Sequence, residues 1–322
     1  IISAGDVPLG TQGNLFGITG GEGTGKSNYV AAIVAGCICP AGADIDTLGI
    51  QITANGRHKA VLLYDTEQSE VQLFKNVSNL LARAKQPDKP DELKAFCLTG
   101  MSRKERLNAI VQSMDKFYYQ YGGIQLVVID GIADLVKSAN DEAESVAVID
   151  ELYRLAGIYN TCILCVLHFV PNGLKLRGHL GSELQRKAAT ILSIEKDEEP
   201  TQSVVKALKV RDGSPLDVPL MLFAWDKEAG MHVYKGEKPR EEKEKRKERE
   251  LVNVARDIFG RQTRITYIDL CEQLQQVLDI KERTAKSYIR FMRERDIITK
   301  DTANQSCFVI GSYHLQRNAS CP

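Results

Sequence analysis

Residues 15–27 read LFGITGGEGTGKS, a short apolar run followed at once by a glycine-rich turn and a lysine–serine pair. The second part, from Gly20 to Ser27, satisfies the pattern G-x-x-x-x-G-K-[ST]. The run before it has the length and aliphatic content of a buried strand, and the residues from Asn28 to Val34 have the apolar spacing of a helix. In this context backbone N–H groups can surround a phosphate, so the stretch predicts an α/β fold with a phosphate-binding loop.

The loop predicts a nucleotide site with ATP and Mg²⁺ as cofactors. Lys26 would reach the β- and γ-phosphates, and the Ser27 hydroxyl would coordinate Mg²⁺. The positive end of the helix dipole would add to the attraction for phosphate. The residues predicted to bind the nucleotide are Gly20, Gly21, Glu22, Gly23, Thr24, Gly25, Lys26, Ser27 and Asn28.

Two carboxylates follow apolar runs farther along the chain. Asp130 ends the run 124–130, and it is predicted to hold the metal together with Ser27. Glu67 comes just after the run 60–65, at the strand end where ligands collect in open α/β sheets. Glu67 is therefore predicted to orient or deprotonate the attacking water, with Asp65 as the nearby alternative.

The spacing of apolar runs predicts how the sheet is organised. Before residue 170, short runs alternate with segments of helical period, which indicates β-α-β units and a mainly parallel sheet with strands at 15–19, 60–65, 94–98, 124–130 and 162–168. After residue 189, strands predicted at 190–195, 203–210, 218–225 and 231–234 follow one another with turn residues between them. This second pattern predicts antiparallel hairpins.

The chain is predicted to have three parts: an α/β domain over 1–235, a charged linker over 236–250 and a small domain over 251–322. The charged linker is predicted to be either solvated chain or an exposed helix. In the small domain one helix starts near Thr266, a second starts near Lys281, and the runs 297–299 and 307–310 can pair as a hairpin. This order looks like a winged helix-turn-helix, with a protein-docking module as the alternative. The basic residues on the outer face of its second helix, predicted to bind duplex DNA, are Arg283, Lys286, Arg290 and Arg293.

The α/β part resembles the RecA-fold ring ATPases of the plasmid RepA and replicative DnaB helicase type over most of residues 5–234. The order strand, Asp-Thr-Glu, helix is similar to the family's, in which the glutamate matching Glu67 is catalytic. Val166-Leu167-His168 looks like the third motif of the family, so the resemblance implies that His168 senses the γ-phosphate or relays to DNA. A satisfied histidine at the edge of the core is the alternative.

Two further segments carry the same resemblance. Lys209-Val210-Arg211-Asp212-Gly213 resembles the K-x-R-x-G of DnaB-like helicases, which implies that Lys209 and Arg211 reach the γ-phosphate of a neighbouring subunit. An exposed hairpin stripe is the alternative. The segment with Arg177 and His179 is similar to one near the central channel of the family, which implies contacts with single-stranded DNA, and a plain surface loop is the alternative.

Composition limits the classes of function. Lysine plus arginine equals aspartate plus glutamate at 42 each, so affinity for nucleic acid must come from local patches. The eight cysteines lie mostly in apolar runs, as reduced buried thiols do, and no run is long enough to span a membrane, so we expect a cytoplasmic protein. The function expected is an ATP-dependent DNA-handling motor, a homo-oligomer with a possible hexameric ring, from a plasmid, phage or mobile element. The alternative is an ATPase that regulates DNA binding or assembly without unwinding.

Overall fold

The computed structural model describes residues 1–168, 178–239, 243–260, 262–302 and 304–312, with side chains in the helix after residue 243 described from residue 248 onward. The chain divides into two compact units, Ile1–Pro239 and Arg240–Pro322. No helix within these described ranges is long and apolar enough to cross a membrane.

The larger unit is built on a central sheet with helices on both faces. Its elements, in chain order, are β1 (Ile2–Ala4), β2 (Val7–Gly10), β3 (Leu15–Gly20), α1 (Lys26–Ile38), β4 (Gln51–Ile52), β5 (Ala60–Asp65), α2 (Glu70–Arg83), β6 (Leu93–Cys97), α3 (Arg103–Tyr121), β7 (Ile124–Asp130), a 3-10 turn (Ile132–Leu135), α4 (Glu142–Ile158), β8 (Cys162–His168), α5 (Gly178–Lys187), β9 (Thr190–Lys196), β10 (Gln202–Val210), β11 (Leu220–Asp226) and β12 (Met231–Lys238).

The nine strands of the central sheet have the order β12-β11-β10-β9-β3-β8-β7-β5-β6. The six strands from β9 to β6 are parallel, which confirms the predicted parallel core. Strands β10 to β12 continue the sheet as the predicted antiparallel hairpins. Strand β9 belongs to both parts, because it is parallel to β3 and antiparallel to β10. A small sheet with the order β2-β1-β4 was not predicted from the sequence.

Both faces of the parallel strands are buried, which explains why their sequences are continuous apolar runs. In β5, Val61 and Leu63 face a core shared with α1 and α2. The alternate residues Leu62 and Tyr64 face a second core shared with α3, α4 and α5. Full burial of one such aliphatic side chain stabilises the fold by about 1.5–3 kcal/mol, so the two cores fix the strand register.

The smaller unit contains α6 (Lys243–Phe259), β13 (Ile265–Thr266), α7 (Tyr267–Leu278), α8 (Glu282–Glu294), β14 (Ile298–Lys300) and β15 (Cys307–Ile310). Its strands form an antiparallel sheet with the order β13-β15-β14, which includes the predicted hairpin. Ala285, Ile289 and Met292 of α8 face the core of this unit, as their helical spacing predicts.

The segment over 236–250, predicted as a solvated linker or an exposed helix, is largely the second of these in the structure. Strand β12 runs through Lys238, and α6 begins at Lys243, so most of that segment belongs to regular elements. The reason lies after the charged run: Leu251, Ala255 and Ile258 are buried in the core of the smaller unit and anchor α6 there. The helix thus begins among charged residues that have no apolar spacing of their own, although its apolar positions start only at residue 251.

Candidate functional site

The carboxyl ends of the central parallel strands bring four predicted site residues to one edge of the sheet. In the pairing of β5 with β7, Asp65 lies opposite Asp130. In the pairing of β3 with β8, Gly20 lies opposite His168. Because β7 and β8 are also neighbours, these residues form one continuous edge. This is the edge at which open α/β sheets bind ligands.

The glycine-rich loop joins β3 to α1 at this edge. Lys26 is the first residue of α1, and its Nζ donates to the carbonyl oxygens of Gly20 (3.1 Å) and Gly21 (2.6 Å). The Thr24 hydroxyl also donates to the Gly21 carbonyl, at 3.0 Å. Gly25 has a φ of 92°, a conformation that side chains disfavour. The carbonyl oxygens of Gly20 and Gly21 therefore point toward the Lys26 ammonium group, and the loop folds around this side chain.

The start of α1 has the features of an anion site. The N-cap residue Gly25 offers no side-chain acceptor, and the first turn carries no acidic residue, so the positive end of the helix is not neutralised by its own side chains. Burial lowers the pKa of Lys26, against the raising effect of Asp130, Glu67 and Glu22. Ser27 is exposed and Asn28 half-buried on the same turn. These observations fit a phosphate, which would supply the missing negative charge.

Asp65 and Glu67 have different roles in the turn after β5. The Oδ1 atom of buried Asp65 accepts from the backbone N–H groups of Glu67 (3.0 Å) and Gln68 (2.8 Å). The Thr66 hydroxyl donates to the carbonyl oxygens of Asp130 (3.0 Å) and Gly131 (2.8 Å), which ties the turn to the end of β7. Asp65 is thus occupied in holding the turn, and the turn presents Glu67.

The Glu67 carboxylate lies beside His168 and above Gly131. Glu67 Oε2 is 3.3 Å from His168 Nε2, and about a third of each side chain is exposed (33%). A Cβ atom at Gly131 would collide with the Thr66 hydroxyl and would lie 2.6 Å from Glu67 Cγ. Gly131 and Thr66 are therefore positioning residues that sequence reasoning missed. The glycine directly after Asp130 was the available signal.

The three carboxyl groups at this edge repel one another. The pKa of Asp130 is raised to about 7 by burial, then by Asp65 and Glu67, while Lys26 and His168 oppose the rise. Burial also raises the pKa of Asp65. A cation would relieve this repulsion, so the donor set fits Mg²⁺. In the described parts of the chain, no group of three or more His, Cys, Asp or Glu side chains is placed to hold a metal alone.

Lys209 and Arg211 contact their own chain. Lys209 Nζ donates to the carbonyl oxygens of Gln185 (2.6 Å) and Arg186 (3.1 Å), at the end of α5. Arg211 Nη2 donates to the carbonyl of Lys187, at 3.1 Å. Both cations thus satisfy the last carbonyls of α5, a favourable position relative to the helix dipole.

The residues predicted to bind DNA fall in different places. His179 is exposed near the start of α5, and Arg177 lies outside the described residues. On α8, all four predicted cations are exposed: Arg283, Lys286, Arg290 and Arg293. Two of them pair with acids one turn away: Lys286 with Glu282 (2.7 Å) and Arg290 with Glu294 (2.8 Å).

A family model described as an AAA domain matches residues 5–172, just over half of the chain. The matched range contains the glycine-rich loop and all of β3, β5, β7 and β8, whose ends form the edge described above. No curated protein matches the chain significantly.

Proposed function

Because the chain belongs to the AAA-domain family of P-loop ATPases, we propose that it is an ATP-dependent motor that handles DNA, similar to the plasmid RepA and DnaB helicases. Its nucleotide site is the edge formed by the ends of β3, β5, β7 and β8. The observation that carries the ATPase proposal is the convergence there of Lys26, Asp130 and Glu67. Cytoplasmic location and a homo-oligomeric ring belong to the same proposal.

Each residue at the edge has a proposed task. Lys26 and the N–H groups of the loop bind the β- and γ-phosphates, while Ser27 and Asp130 hold Mg²⁺. Magnesium in that position would neutralise charge on the phosphate oxygens. Glu67 accepts the proton of the attacking water, and His168, at 3.3 Å from its carboxylate, orients Glu67 and senses the γ-phosphate.

The smaller unit supports the DNA part of the proposal. Its order of elements, a helix, a strand, two helices and a two-stranded hairpin, resembles that of a winged helix-turn-helix, in which α8 would enter the major groove. The pairs Lys286–Glu282 and Arg290–Glu294 are exposed, and solvent screening makes such surface pairs weak. Phosphate can therefore replace the carboxylates. A cleft of about 510 Å³ beside α8, lined in part by Arg293 and Lys300, adds basic surface.

One observation favours a second function, a regulator without unwinding activity. A role of Lys209 and Arg211 at the γ-phosphate of a neighbouring subunit requires that they leave the carbonyls of α5. If they stay there, the chain has an ATP site without cations supplied by a neighbour. Nucleotide state would then control DNA or partner binding through the smaller unit.

Two substitutions test the ATP site. Lys26→Ala should abolish ATP binding in a calorimetric titration, because it removes the cation of the loop. Glu67→Gln should preserve ATP binding and slow phosphate release by at least about a hundredfold, because it removes the general base. Lys104→Ala, at an exposed position of α3, is the matched control and should change neither. Normal turnover in Glu67→Gln would assign the base elsewhere.

A second experiment separates the motor from the regulator. The motor predicts that single-stranded DNA raises the ATPase rate of the wild-type protein and that a labelled duplex strand is displaced in the presence of ATP. The regulator predicts ATP-dependent DNA or partner binding without displacement. Absence of displacement under conditions in which single-stranded DNA and ATP both bind would contradict the motor.

A further inference from the structure

The end of β11 lies at the same edge of the sheet as the phosphate-binding loop. Strand β9 is parallel to β3, β10 is antiparallel to β9, and β11 is antiparallel to β10, so β11 runs in the direction of β3. Trp225, the second-last residue of β11, is therefore at the carboxyl edge. Phe223 and Trp225 are two residues apart and share one face of the strand.

A row of rings connects this tryptophan to the loop. Phe223 is fully buried, and a Cβ atom at Gly25 would lie 2.8 Å from its ring. Phe223 packs on Tyr29 of α1 at 5.8 Å between centroids and edge-to-face on His232 at 5.6 Å. His232 lies opposite Trp225 in the pairing of β11 with β12, and their rings meet edge-to-face at 5.5 Å. Two successive ring contacts thus connect Trp225 to Phe223, the residue that packs against the loop.

The outer end of this row is open. Trp225 is 54% exposed, although Phe223 beneath it is buried. Within the described residues, the Nδ1 atom of His232 is buried without a hydrogen-bond partner. Burial, followed by Arg83 and Lys196, lowers the pKa of His232, which favours the neutral form of its ring. An uncharged, rigid aromatic pair beside a phosphate site offers a flat apolar surface of the kind on which a nucleobase stacks.

We propose that Trp225, supported by His232, is the platform on which the purine base of the bound nucleoside triphosphate stacks. This role rests on the nucleotide site proposed above. It accounts for recognition of the base, the part of the ligand that the loop does not contact. The loop binds phosphates, whereas Trp225 distinguishes a nucleotide from inorganic polyphosphate. Because every purine has an aromatic face, stacking alone gives little discrimination between adenine and guanine.

The chain contains a single tryptophan, so tryptophan fluorescence excited at a wavelength that tyrosine does not absorb reports on this position alone. ATP should change the tryptophan fluorescence of the wild-type protein, and inorganic tripolyphosphate should bind without that change. Trp225→Ala should weaken ATP binding about tenfold, the effect of removing one stacking partner, and leave tripolyphosphate binding as in wild type. Trp225→Phe keeps an aromatic face and should restore most of the affinity. Tyr119→Ala, at a 76% exposed tyrosine of α3, is the control and should bind ATP normally.

The outcomes are separable. Unchanged fluorescence on ATP binding, or wild-type ATP affinity in Trp225→Ala, overturns the stacking role and leaves the phosphate site intact. Equal weakening of ATP and tripolyphosphate in Trp225→Ala also overturns it, because the change then acts through the loop. If neither ligand binds the wild-type protein, the nucleotide site and the platform both fail.

Discussion

Gly131→Ala tests whether the position of Glu67 limits hydrolysis. Gly131 has a φ of 98°, and a new Cβ would lie 2.6 Å from Glu67 Cγ and collide with the Thr66 hydroxyl. Thr66 cannot rotate freely, because that hydroxyl donates to two carbonyl oxygens, those of Asp130 and Gly131. The glutamate side chain is less constrained, so we expect it to move.

The magnitude has two parts. An alanine held at this positive φ costs about 1–3 kcal/mol, which lowers Tm by roughly 2–4 °C per kcal/mol in a unit of this size. Displacement of Glu67 by about 1 Å should slow hydrolysis about a hundredfold. ATP affinity should stay near the wild-type value, since the three atoms nearest to the new methyl group belong to Thr66 and Glu67 and none belongs to Lys26 or the loop.

Gly122→Ala is the matched control. Gly122 also has a positive φ, 64°, and nothing lies within 4 Å of its added Cβ. Both variants should lose Tm in a thermal melt, and only Gly131→Ala should lose turnover in a phosphate-release assay. Wild-type turnover in Gly131→Ala, together with a Tm loss equal to that of Gly122→Ala, would refute the assignment of Glu67 as the positioned base.

Three further predictions concern charge. The pKa of Asp130 is raised from 3.8 to about 7, so between those pH values the folded state binds more protons than the unfolded state. The Tm of the nucleotide-free protein, measured with a chelator present, should therefore fall as the pH rises toward 7. The variant Asp130→Asn should show a smaller fall in Tm over the same pH range. Mixing Arg211→Ala with Lys26→Ala subunits should restore part of the ATPase if Arg211 acts on a neighbour; inactive mixed oligomers would contradict this. Changing Lys286 and Arg290 to Glu should weaken duplex binding more than about tenfold, reduce its salt dependence and leave basal ATPase intact, whereas unchanged binding would favour a protein-docking unit.

Local sequence was sufficient for the features that depend on neighbours in the chain. The loop from Gly20 to Ser27, the strand that ends at Asp130 and the inward stripe of Ala285, Ile289 and Met292 were all predictable. Each depends on a local pattern: the loop on a turn that only glycine permits, the strand on a continuous apolar run, and the helix stripe on a 3.6-residue period. The predicted parallel sheet followed from the same patterns, because alternating runs and helices have few ways to pack.

Tertiary structure alone decided which distant residues meet. The contact of Gly131 with Glu67 depends on the pairing of β5 with β7, and the row of rings from the loop to Trp225 depends on β11 and β12 joining the far side of the sheet. Lys209 was expected at the γ-phosphate of a neighbouring subunit, with an exposed hairpin stripe as the alternative, yet its Nζ donates to a carbonyl of α5 that is 23 residues away in the chain. Such contacts leave no periodic trace in the sequence, because the register and order of strands are set by burial of two whole faces and not by any single segment.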